Sequence, residues 1–202
     1  TIFFGGGTPS ILNLRQWKLI LDAINSLGVE NVSEWTVECN PATLSKDKAE
    51  LLKEGGVTRV SMGVQSLDSD LLVRLGRVHS RDMIYKSYEI LRNVGFERVN
   101  LDLMFAIPSQ SMKVWRDTLD EVALMGPDHI SCYEVIYEQD TPLYEQLKAG
   151  EFDVQEGLAC DMFEELVRHT EENGYHQYEV ANFARHYGHE SSEIPDEACL
   201  HN

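Results

Sequence analysis

The apolar residues of this chain switch repeatedly between a two-residue and a three-to-four-residue period, and few folds accommodate that alternation. Strands are predicted over 1–4, 34–39, 59–65, 99–105 and 129–136. In the second, Trp35, Val37 and Cys39 share one face; in the third, Val60, Met62 and Val64 oppose Ser61, Gly63 and Gln65. Helices are predicted over 13–27, 45–55, 68–75, 81–94, 114–124 and 155–173, with a short one opening at Thr141-Pro142. Gly28, Gly55-Gly56, Gly95, Gly126 and Gly174 stand where helices should stop. A further strand is expected over 177–183. About five strand–helix alternations with short connections predict a parallel α/β sheet with crossover helices.

Composition narrows the possible partners. A chain of 202 residues can bury a core without staples, and its formal charge of −17 would repel nucleic-acid phosphates. No apolar run approaches the roughly 18 residues of a membrane span, and no leader peptide is visible. Cytoplasmic residence is expected, or an organelle in a eukaryote. The first residue is Thr1 and the last is Asn202, without start or stop signals, so the chain reads as an internal piece. The closest cysteines, Cys132 and Cys160, are 28 residues apart, which excludes CxxC-type metal spacing and fits reduced thiols. Composition changes near Gly150. Residues 151–202 hold 13 acids, two arginines and five of the seven histidines. The expected division is therefore a core over 1–150 and the start of an acidic, histidine-rich region over 151–202.

In parallel α/β folds, ligands bind beyond the carboxyl ends of strands. Those ends here carry Gly5-Gly6-Gly7-Thr8-Pro9, then Glu38-Cys39-Asn40-Pro41, then Gln65-Ser66, with Asp102 inside a fourth apolar strand and Tyr133-Glu134 on the fifth. Period-two alternation sets Glu38 with Thr36, Gln65 with Ser61, and Asp102 with Asn100, each opposite the bulky residues of its strand. If the sheet curls, these groups share a lumen, and Arg77 supplies a fork for a carboxylate. A small ligand with hydroxyls and an amino-acid-like end fits that set. Equally, Asp102 could pair structurally with Arg59, Arg77 or Arg98, and His79 could be a satisfied core histidine. The glycine turn matches neither the phosphate loop nor the dinucleotide fingerprint.

The ordered motifs are more specific than their members. They are Phe4-Gly5-Gly6-Gly7-Thr8-Pro9-Ser10, Glu38-Cys39-Asn40-Pro41, Ser61-Met62-Gly63-Val64-Gln65-Ser66, Leu75-Gly76-Arg77-Val78-His79, Asn100 to Pro108, His129-Ile130-Ser131-Cys132-Tyr133, and Tyr178 to Arg185. The series resembles the oxygen-independent coproporphyrinogen III oxidase-like group of radical S-adenosylmethionine proteins. Tyr178–Arg185 and the terminal His201-Asn202 look most like its haem chaperone branch.

The resemblance implies a partial (β/α)6 barrel, an incomplete TIM-like barrel lacking its first strand and cluster loop. The family's cofactors are S-adenosylmethionine and a [4Fe-4S] cluster, and haem is an implied ligand. By position, Gly6, Gly7 and Thr8 would line the methionine end, and Glu38 and Gln65 would hydrogen-bond polar atoms. Arg77 would pair with the carboxylate, Asp102 would meet ribose hydroxyls or a second cofactor molecule, and Ile136 would add a backbone contact. The cluster's CxxxCxxC loop does not occur in the sequence and is expected before Thr1, so no metal ligand is assigned. The implied partners are haem or a porphyrinogen, an electron donor and a haem-acceptor protein. The implied function is haem delivery, with radical decarboxylation of coproporphyrinogen III as the alternative.

Overall fold

The computed structural model describes residues 1–28, 32–186 and 197–201. His189, Asn202 and most of the 187–198 stretch therefore lie outside the described residues. The predicted alternation is present. The first strand is β1 (Ile2–Phe4), followed by α1 (Leu14–Ser26), β2 (Trp35–Cys39), α2 (Lys46–Glu54) and β3 (Arg59–Gln65). Next come α3 (Ser69–Arg74), α4 (Arg81–Val94), β4 (Arg98–Phe105), α5 (Met112–Met125) and β5 (His129–Glu134). The chain continues through α6 (Pro142–Lys148), α7 (Glu156–Glu172), β6 (Tyr175–Glu179) and β7 (Asn182–Arg185).

Local chemistry sets these boundaries. Asn13 and Gln16 close a reciprocal capping box at the start of α1. Ser45, Ser80 and Ser111 cap α2, α4 and α5 through their side chains. Gly95 and Gly126 end α4 and α5 at φ of 90° and 69°, a left-handed turn that a Cβ would strain.

Strands β1 to β5 pair in sequence order and all in parallel, forming the open, partial barrel of this fold class. One face packs under the helices. Val37, Val60, Met62, Val64, Leu101, Leu103 and Ile130 meet Trp17, Leu52, Ile84, Leu91, Trp115 and Leu166 there. On the other face, parallel register sets polar residues side by side. Glu38 faces Ser61, Ser61 faces Asn100, and Asn100 faces His129; one row further on, Gly63 faces Asp102, and Asp102 faces Ser131.

The end of the sheet corrects the expectation of one strand over 177–183. The chain there forms a hairpin, with β7 antiparallel to β5 and β6 antiparallel to β7. Glu179 makes the reversal, since its carboxylate accepts from Ala181 N at 3.0 Å and from Asn182 Nδ2 at 2.6 Å. A two-residue turn leaves period-two alternation undisturbed, so the pattern does not mark it. The fifth strand also ends two residues sooner than predicted, at Glu134. The sheet crosses the compositional change at Gly150: α7 packs on α5, and the hairpin extends the sheet beyond β5.

At the amino ends of the strands, Arg59 Nε donates to Glu34 at 2.8 Å, and both side chains are buried. Arg98 approaches the same carboxylate at 3.7 Å. Removing one partner of a buried pair strands the other charge, which costs about 3–5 kcal/mol. Arg59→Met is expected to lower the unfolding free energy by a comparable amount, read in urea as a lower midpoint with an unchanged m-value.

Candidate functional site

The glycine turn after β1 is built from beneath. Ser10 Oγ accepts from Asn40 N at 2.9 Å and shares a hydrogen bond with Thr43 Oγ1 at 2.6 Å. The buried Lys48 ammonium donates to the carbonyls of Ser10 and Thr43, and burial lowers its pKa. Sequence reasoning singled out neither Thr43 nor Lys48, because the contacts span 38 residues in the case of Lys48 and Ser10. The turn itself needs glycine. A Cβ at Gly5 would stand 2.8 Å from Glu38 Oε1 and 2.5 Å from Phe3, while Gly6 and Gly7 adopt φ of 80° and 78°. Gly6 N then donates to Glu38 Oε2 at 3.2 Å, tying the turn to β2.

Beside this turn, at the carboxyl ends of the strands, lies a cavity of about 310 Å³. Its walls include Gly7, Thr8, Glu38, Gln65, Arg77 and Asp102, drawn from five separate motifs. Gln65 reaches it across a bulge. The ladder shifts between Gly63 and Gln65, and Gln65 takes φ of 68°, a conformation that strict alternation does not anticipate. Arg77 is held at the rim by its own turn. Arg77 N donates to Leu72 O at 2.9 Å, and the buried His79 donates through Nε2 to Val64 O at 3.1 Å. That bond ties the arginine loop to the end of β3, while His79 Nδ1 is buried with no hydrogen-bond partner among the described residues. Among the described residues, Arg77 has no carboxylate partner.

Asp102 has no arginine either. Arg59 is taken by Glu34, and Arg98 by Glu34 and Glu197. The carboxylate instead accepts from Ser61 Oγ at 2.9 Å and Asn100 Nδ2 at 2.7 Å. Burial outweighs those two donors and pushes its pKa up to about 6. Tyr133, on the next strand, completes the wall and is also raised by burial.

Ile136 is not brought into this cavity. It is 73% exposed and lines a second, mostly apolar cleft of about 890 Å³ with Phe105, Phe163 and Val180. Tyr133 borders both spaces. Gly6 adjoins the first cavity through its bond to Glu38 but is not among its walls.

Among the described residues, no group of three or more His, Cys, Asp or Glu side chains is arranged to hold an ion. Burial pushes the Cys39 thiol up to about 12 and Cys132 well above its usual value, so neither is a ready thiolate. The residues described here do not fit as ligands of an iron–sulfur cluster. His169, in the histidine-rich region, is buried and engaged by Asp120 at 2.7 Å.

Residues 1–122 match the family model of the radical SAM superfamily. The chain belongs to the radical SAM superfamily. Relatives and solved structures agree with that placement. The chain is 40% identical over 188 residues to the heme chaperone HemW of Bacillus subtilis, covering 92% of this chain and 50% of that protein. It is 37% identical to the mitochondrial radical S-adenosyl methionine domain-containing protein 1 of Danio rerio, covering 92% and 42%. In fold it resembles coproporphyrinogen III oxidase (HemN) of Escherichia coli, with a TM-score of 0.80 at 24% identity over 91% of this chain and 42% of that one. The chain spans about half the length, or less, of these relatives. No helix among the described residues is long and apolar enough to cross a membrane.

Asp102 also fixes a pH dependence. Its folded-state pKa, about 6, lies above the ordinary 3.8, so the folded protein holds the proton longer. This contribution is full below about pH 4 and is lost as pH rises through 6, a loss of about 2–3 kcal/mol. His129 acts oppositely: burial holds its pKa at about 3, so its contribution is lost on acidification. Subtracting the denaturant stability of Asp102→Asn from that of the parent protein, between pH 4 and 7, isolates the Asp102 slope. A flat difference would overturn the assignment.

Proposed function

We propose that this chain forms the S-adenosylmethionine-binding core of a haem chaperone. The observation that carries the reading is one cavity that sets the Arg77 guanidinium, without a carboxylate partner among the described residues, the carboxylates of Glu38 and Asp102 and a glycine turn around a common space. A ligand with a carboxylate, an ammonium and ribose hydroxyls satisfies each of those groups. S-adenosylmethionine and a [4Fe-4S] cluster are the family's cofactors. Arg77 would take the carboxylate, Gly6, Gly7 and Thr8 the methionine end, and Glu38 and Gln65 the neighbouring polar atoms. Asp102 would accept from a hydroxyl. When bound, this cofactor supplies radical chemistry; the chain's own share is to orient it and keep water from it.

The chaperone reading is supported by relatives bearing that name at 36–40% identity. It is also supported by the apolar cleft that Tyr133 joins to the cofactor cavity, since a flat macrocycle favours apolar and aromatic walls. Haem and a haem-acceptor protein are the partners in this reading, and delivery in the cytoplasm or an organelle follows from it. The proposed division keeps the cofactor in residues 1–150 and leaves the acidic region over 151–202 for partner contacts.

Two outcomes are expected in the intact, anaerobically reconstituted protein. Calorimetry should find S-adenosylmethionine bound roughly 10–100-fold more weakly by Arg77→Ala, the loss of one charge-assisted pair. Unchanged affinity would remove Arg77 from the site. Haem titration should give stoichiometric binding with no decarboxylation of added coproporphyrinogen III. Turnover of the porphyrinogen without haem binding would replace the chaperone reading with an oxidase.

A further inference from the structure

The motifs His129–Tyr133 and Tyr178–Arg185 line no part of the cofactor cavity apart from Tyr133, yet they converge beneath it. His129 Nδ1 lies 2.7 Å from Asn100 Oδ1, and its Nε2 lies 2.7 Å from Tyr178 Oη. Tyr178 Oη accepts from Cys199 N at 3.0 Å. Cys199 belongs to the segment 197–201, which docks at the amino ends of the strands. Arg59 donates to the carbonyls of Glu197 and Ala198, Leu200 N donates to Glu34, and His201 stacks on Phe3 with ring centroids 4.5 Å apart.

The donors and acceptors of this network have one consistent direction. Asn100 Nδ2 is 2.7 Å from both Asp102 Oδ1 and Ser61 Oγ. Ser61 spends its own hydrogen on Asp102, so it accepts from Asn100. The Asn100 oxygen therefore faces His129 and requires a hydrogen from Nδ1. His129 is kept neutral by burial, aided by nearby Arg59, so its Nε2 is bare and accepts from Tyr178. Tyr178, having given its hydrogen, accepts from the Cys199 amide. Every bond from Cys199 to Asp102 points toward the carboxylate.

We propose that Tyr178 and His129 are positioning residues of the cofactor cavity: docking of Cys199 on Tyr178 holds His129 in its Nδ1–H form, which locks the Asn100 amide as a donor to Asp102. The segment 197–201 is thereby coupled to the protonation of Asp102, through Tyr178, His129 and Asn100. Without Tyr178, His129 can present a bare Nδ1, Asn100 can turn its amide over, and its oxygen would then face Asp102 and favour the protonated acid. The charged and titratable groups around Asp102 are Glu38 from β2, Arg77 from the loop after α3, and Cys132 and Tyr133 from β5. Arg59, on β3, faces His129. Tyr178→Phe removes none of these groups, and Arg59 keeps its Glu34 partner. The functional consequence, though not the coupling, rests on Asp102 belonging to the cofactor site.

The coupling is read without cofactor, in the intact protein. Carbon-13 carboxyl shifts of labelled aspartates give the Asp102 midpoint, expected near 6 in the parent and about one unit higher in Tyr178→Phe. Nitrogen-15 shifts of the His129 ring in the parent protein, where no variant has to fold, are expected to show a protonated Nδ1 and a bare Nε2. An Nε2–H tautomer, or an Asp102 midpoint unmoved in a folded Tyr178→Phe, overturns the proposal. Separate titrations of S-adenosylmethionine across pH 5–7 test the cofactor reading. Affinity rising with pH in the parent, with the midpoint displaced in Tyr178→Phe, supports both. A displaced aspartate midpoint with pH-independent affinity supports the coupling and removes Asp102 from the cofactor site.

Discussion

A parallel sheet with one apolar face and one polar face must satisfy its buried polar groups internally or offer them to a ligand. That constraint organises this molecule. Helices cover the face carrying Val37, Val60, Leu101 and Leu103, and the opposite face carries Thr36, Ser61, Asn100, Asp102, His129 and Ser131. Toward the amino ends of the strands these groups close on one another. Glu34 is buried against Arg59, Asn100 bridges His129 and Asp102, and the segment 197–201 supplies backbone partners for Arg59, Tyr178 and Glu34.

Toward the carboxyl ends the closure is incomplete, and the site begins there. Arg77 has no carboxylate partner among the described residues, Glu38 is held by one amide of the glycine turn, and Asp102 is held by neutral donors alone. Unmatched charges of both signs around one cavity suit a zwitterionic ligand better than a purely anionic one. The elevated Asp102 pKa follows from the same cause, because burial without a cation favours the neutral acid.

Much of this was legible in the residues. Period-two alternation placed Glu38 and Asp102 on one side of their strands, and the register then brought them to the same space. Glycine positions gave the helix ends at Gly95 and Gly126. The bulge that carries Gln65, the hairpin at Val180-Ala181 and the placement of Ile136 outside the cavity were not legible. Each depends on a local departure from regular geometry that leaves the hydrophobic pattern intact. Asp102 kept its alternatives open in sequence because three arginines lay within plausible reach, and the structure assigned two of them elsewhere.

The sequence by itself determined the fold class, the family and the set of polar groups at the strand ends, because these follow from periodicity and from motifs that are local in the chain. Only the tertiary structure decided which of those groups share a cavity, that His79 supports the arginine loop, and that Tyr178 and His129 connect a distant segment to Asp102. Hydrogen-bond partners 49 and 29 residues apart leave no periodic trace; they exist only once register and packing have brought them together.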